Sequence, residues 1–121
     1  MILDSCILID ISKNRQPALD YVTALANIPA VSVLTVTEVM RGVRREQESR
    51  ILSDIFAQWS VLPVTFEIAS LAAEYLRMYG PSHGTDIVDA IIAASAQTHE
   101  LELITLNLKH FPMFPGLVRP Y

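Results

Sequence analysis

The chain has 121 residues, 51% of them hydrophobic and 18% charged, and a formal net charge of −4. That length fits one domain spanning residues 1–121, and no apolar run approaches the ~20 residues a membrane-spanning helix needs. Its one cysteine, Cys6, excludes a disulfide framework and a Cys-rich zinc site, the N-terminus lacks a secretory pattern, and the acidic balance argues against gripping nucleic acid through bulk positive charge.

Met1 to Asp4 reads as a short buried strand ending in an acid. A helix is expected from Ser5 to Lys13, then a break, then a second helix with Pro17 in its first turn. Ala30 to Leu34 is a β-branched run, hence a second strand. Thr35 opens a helix ending near Gly42, and Glu46 to Gln58 has the apolar spacing of another. Val61 to Val64 reads as a third strand, placed at a sheet edge by Pro63. Phe66 to Tyr79 predicts a long helix, and Gly80 to Gly84 a loop. Asp86 then opens an apolar helix to about His99, followed by a strand at Leu101 to Thr105 and a last strand at Leu117 to Arg119. Strands alternating with helices predict a three-layer α/β/α fold around a parallel sheet of four to five strands.

In such a sheet the functional crevice lies beyond the carboxyl ends of the strands. Asp4, Glu38 and Asn107 follow predicted strands, and the helix carrying Asp86 and Asp89 should begin at the same rim. Asp86 and Asp89 are three residues apart and share a helix face. Each acid also has an ordinary reading. Thr35 to Glu38 fits a capping box, Asp86 and Asp89 fit another, and Asp4 could cap the helix after it.

Convergence of four acids on one rim favours a different use. Clustered carboxylates repel unless a cation sits among them, and oxygen ligands favour Mg²⁺ or Mn²⁺. Such an ion serves phosphodiester hydrolysis by acidifying water and neutralising phosphate charge. Asp4, Glu38, Asp86 and Asp89 together equal the whole net charge, leaving the remainder balanced. Arg41, Arg44 and Arg45, with Lys109 and His110, are then candidates for RNA contact, against a reading as a solvated surface.

Four segments carry a family likeness: Leu3 to Asp10, Ser32 to Gly42, Asp89 to Ala94 and Thr105 to Phe111, with a closing Gly116 to Tyr121. In order and spacing they resemble the motifs of PIN-domain ribonucleases, specifically the VapC-type toxins of toxin–antitoxin pairs. The resemblance implies an endoribonuclease dependent on Mg²⁺ or Mn²⁺, with Asp4, Glu38 and Asp89 as catalytic acids and metal ligands. Asp86, just before the third motif, is implied as a further ligand. Asn107 stands where many members have an acid, and with Thr105 it is expected to tune the ion or position water. Cys6 replaces a common asparagine and is expected to pack. The implied partners are RNA, a cognate antitoxin, a second copy of the chain, and operator DNA only through the antitoxin, all in the cytoplasm and away from membranes. An RNA-maturation nuclease, a metal-dependent phosphatase and a catalytically silent antitoxin-binding module are the alternatives.

Overall fold

The computed structural model describes residues 1–121. Its strands are β1 (Ile2–Leu3), β2 (Ala30–Ser32), β3 (Ser60–Leu62) and β4 (Leu103–Ile104). Its helices are α1 (Ser5–Ser12), α2 (Gln16–Thr23), α3 (Val33–Arg41), α4 (Glu46–Gln58), α5 (Phe66–His83) and α6 (Ile87–Thr98), with a 3₁₀ turn at Leu108–His110. The four strands form one sheet in the order β3-β2-β1-β4, every pair parallel, with Ile2 opposite both Ala30 and Leu103. The expected edge position of the strand before Pro63 holds.

Strand residues alternate between two cores, as a period of two requires. Leu3, Val31 and Ile104 face one side, packing with Ile7, Leu8, Val39 and Leu52 from α1, α3 and α4. Ile2, Ala30 and Leu103 face the other, against Ile92, Ala93 and Ala96 of α6. Alanines along α6 let it lie close to the sheet, while its Ala90 and Ala94 receive Ile68 and Ala72 of α5. The result is the three-layer α/β/α arrangement, in which α6 contributes more buried residues than any other helix, seven.

Three local expectations are corrected. The third helix begins at Val33, not Thr35, because the Ser32 hydroxyl accepts the Leu34 N–H at 3.2 Å and starts the turn earlier. Thr35 therefore caps nothing, and Glu38 projects from within α3 free of the expected capping box. The Gly80–Gly84 stretch is not a loop: α5 runs through it to His83 and stops at Gly84, whose φ of +66° is the left-handed terminator glycine adopts without steric cost. Leu117 to Arg119 finds no strand to pair with and stays irregular. No helix is long and apolar enough to cross a membrane.

Candidate active site

Asp4 leaves the carboxyl end of β1 with its backbone N–H donating to the Ile104 carbonyl at 2.9 Å. That ladder bond brings it beside Thr105, the residue after β4. The Thr105 hydroxyl donates to Asp4 Oδ2 at 2.6 Å, and the Ser5 N–H donates to Asp4 Oδ1 at 2.7 Å, so Asp4 also caps α1. Cys6 Sγ lies 3.3 Å from Asp4 Oδ2 and accepts the Leu106 N–H at 3.4 Å. Cys6 thus does more than pack: it pins the β4 exit to α1. Burial, followed by the Asp4 charge, pushes its thiol up to about 12, so it stays a neutral donor. Asn107 is exposed, and its backbone N–H donates to the Thr105 hydroxyl at 2.9 Å.

Asp86 and Asp89 form a reciprocal capping box at the start of α6. Asp86 Oδ1 accepts the Asp89 N–H at 2.8 Å, and Asp89 Oδ2 accepts the Asp86 N–H at 3.1 Å. The capping reading is therefore correct for these two acids and for Asp4, and it leaves Asp86 Oδ2 and Asp89 Oδ1 without a protein hydrogen bond. His110 Nδ1 lies 3.3 Å from Asp89 Oδ2, anchored by the Thr85 hydroxyl, which donates to the His110 carbonyl at 2.7 Å. His110, expected as an RNA contact, lies against a candidate ligand. Nothing local in the sequence signals that pairing, since it joins the first turn of α6 to the 3₁₀ turn after β4, which meet only in the folded chain.

The acids sense one another. Desolvation raises the Asp4 pKa and its hydrogen bonds lower it, while the Asp86 charge adds to the rise. Desolvation likewise pushes Asp89 up, to about 7, with Asp86 and Asp4 both contributing repulsion. Asp86 is the acid common to both effects. It also lines a cleft of about 410 Å³ with Glu38 and Arg41. Glu38 thus faces Asp86 across that cleft, half-buried on α3. Arg44 and Arg45 lie elsewhere, in a cleft with Lys13, and Lys109 is exposed on the 3₁₀ turn.

As they stand, no three His, Cys, Asp or Glu side chains are gathered at distances that would hold a metal ion. The donor chemistry nevertheless fits a hard divalent ion. All four candidates are carboxylates, three of them mutually repelling, and no Lys or Arg pairs with any of them. Asp4, Asp86 and Asp89, with Glu38 lining the same cleft as Asp86, are the residues that would hold such an ion.

The family model described as PIN domain matches residues 1–112. Ribonuclease VapC19 of Mycobacterium tuberculosis is 36% identical over 99% of this chain and 98% of its own length. Ribonuclease VapC10 of the same organism is 36% identical over 100% of this chain and 92% of its own. A solved toxin–antitoxin complex from Klebsiella pneumoniae superposes with a TM-score of 0.83 at 35% identity, covering 99% of this chain and 97% of that one. With its sheet order, its rim of acids and these full-length likenesses, the chain is a VapC-type member of the PIN-domain family.

Proposed function

We propose that the chain is an endoribonuclease toxin that hydrolyses RNA phosphodiester bonds with a divalent ion, Mg²⁺ or Mn²⁺, and is restrained by an antitoxin protein. Support for RNA hydrolysis comes from the VapC ribonucleases it resembles, and for an antitoxin from the Klebsiella pneumoniae complex. One observation carries the mechanism: buried Asp4, at the end of a central strand, is electrostatically tied to Asp86 and Asp89 at the start of α6.

The residues divide the work as follows. Asp4, Asp86, Asp89 and Glu38 would hold the ion. When bound, the ion neutralises charge on the attacked phosphate and makes water a better nucleophile. Thr105 holds the Asp4 carboxylate in one orientation and favours its ionised form. His110, with Nδ1 3.3 Å from Asp89 Oδ2, braces that carboxylate in position. The free N–H groups of the first turn of α6 lie at the rim and favour negative charge there. Arg41, across the cleft from Asp86, is placed to meet a substrate phosphate. Thr105 contacts Asp4 directly and Asn107 is tied to Thr105 through its backbone N–H, so both stand beside the ligand set to tune the ion or position water.

The test is Asp4→Ala. Cleavage of single-stranded RNA in Mn²⁺ should fall by about 10²-fold or more, as expected when a metal ligand is lost. Circular dichroism should still report a folded chain, because the lost cap is offset by removal of a desolvated charge. Wild-type cleavage by that variant would refute the assignment.

A further inference from the structure

Three clefts run in series from the acidic rim. The first, of about 410 Å³, contains Glu38, Arg41 and Asp86. A narrower one of about 110 Å³ shares Glu38 with it and reaches Lys13 and Glu48. A third, of about 370 Å³, shares Lys13 and Glu48 with the second and adds Asn14, Arg44 and Arg45. Its lining includes no hydrophobic residue. Two loops build it: the α1–α2 turn, reversed at Asn14 with φ +55°, and the α3–α4 connection. Glu38 lines the first and second clefts and Lys13 the second and third, so the basic cleft neighbours the acids by way of shared walls.

The positive charge of that cleft is only partly compensated. Lys13, Arg44 and Arg45 are exposed, and none is among the ion pairs of the molecule, which are Arg15–Asp10, Arg50–Glu46 and His110–Asp89. Its one carboxylate, Glu48, is occupied by the Arg44 backbone N–H at 3.2 Å. Three cations against one acid stand out in a chain of net charge −4.

We propose that this cleft is a second subsite for the RNA backbone, in which Lys13, Arg44 and Arg45 grip phosphates remote from the bond that is cut. The inference rests on the ribonuclease reading and deepens it. Four carboxylates repel a strand wherever the ion and Arg41 do not offset them, so cations further along its path add attraction that the rim lacks. The phosphate backbone asks only for cations and room, which the cleft supplies. A protein segment would instead be anchored by apolar or aromatic side chains, and the cleft has no apolar wall to receive them.

The experiment is equilibrium binding of a labelled single-stranded RNA of ~12 nucleotides to the full chain in EDTA, across a salt series. Each phosphate that the protein neutralises on a single strand adds about 0.7 to the slope of log affinity against log salt. The triple variant Lys13→Gln, Arg44→Gln, Arg45→Gln should therefore lower the slope by about 2. The charge-keeping variant Lys13→Arg, Arg44→Lys, Arg45→Lys should retain the wild-type slope, which a merely structural role would not require. An unchanged slope in the Gln variant, with wild-type protein still cleaving RNA, overturns the subsite and spares the ribonuclease reading. Wild-type protein that neither binds nor cleaves RNA overturns both. An unchanged slope with weakened antitoxin binding would give the cleft to the protein partner and also overturn the proposal.

Discussion

Thr105→Val removes one hydroxyl from the centre of the site while keeping the volume of the side chain. Thr105 is 1% exposed and Asp4 3%, so water does not readily replace the missing group. Three contacts disappear: the 2.6 Å donation to Asp4 Oδ2, the 2.9 Å acceptance from the Asn107 N–H, and a long 3.7 Å contact with Cys6 Sγ that contributes little. A hydrogen bond to an ionised carboxylate contributes about 1.5–3 kcal/mol, and a neutral one about 1 kcal/mol. Asn107 is exposed, and its N–H can turn to solvent, so the second loss is small. The expected destabilisation is about 2–3 kcal/mol with Asp4 ionised, and about 1 kcal/mol with Asp4 protonated. Urea unfolding separates the two states, one with saturating Mn²⁺ at neutral pH, the other without metal at acid pH. Mn²⁺ should also bind the variant more weakly, because Thr105 is the strongest of the hydrogen bonds favouring the charged form of Asp4. Thr105→Ser, which keeps the hydroxyl, should restore Mn²⁺ affinity. Equal losses in the two states, or a loss below about 0.5 kcal/mol with the ion present, would refute the reasoning.

The pH dependence of the metal-free protein follows from the raised carboxyl pKa values. A folded-state pKa above the unfolded one means that the fold holds its protons more tightly, so the contribution favours folding at low pH and is lost as pH rises through the folded value. For Asp89 that window runs from about 4, its unfolded value, to about 7. Melting temperature should therefore fall more steeply over that window in metal-free wild-type protein than in Asp89→Asn, and Mn²⁺ should shrink the difference; parallel curves would contradict the burial argument. Gly84→Ala should cost about 1 kcal/mol, because φ of +66° strains any side chain although the nearest heavy atom, His110 Nε2, leaves room at 3.9 Å. Thermal unfolding that leaves this variant at the wild-type midpoint would show that the α5–α6 turn relaxes without strain.

Much of the fold was legible because its signals are local. The β1 strand announces itself as an apolar pair ended by Asp4, and α6 by acids at i and i+3 ahead of an alanine-rich run. Errors fell where tertiary contacts outvote local preference. Val33 and Leu34 look like strand, yet the sheet ends at Ser32, whose hydroxyl turns the chain into helix. Gly80 and Pro81 look like a loop, yet α5 passes through them until Gly84 supplies a left-handed residue. Leu117 to Arg119 has strand-like composition and no neighbouring edge to join. Within the site, Asp4, Asp86 and Asp89 could be gathered from strand order alone. The partnership of His110 with Asp89, and that of Lys13 with Arg44 and Arg45, depend on distant segments meeting in space, which no sequence periodicity encodes.

The reciprocal capping of Asp86 and Asp89 makes chemistry and architecture share the same side chains without sharing the same requirements. An N-cap asks for an oxygen acceptor, and asparagine serves there about as well as aspartate. Ion binding asks for charge. Amide replacements at these positions therefore keep α6 started and relieve repulsion, so the inactive protein is expected to be as stable as the active one. Single-base drift from aspartate to asparagine would then produce chains that fold, assemble and occupy an antitoxin while cutting nothing. In a population of such genes, silenced copies would act as sinks for the antidote.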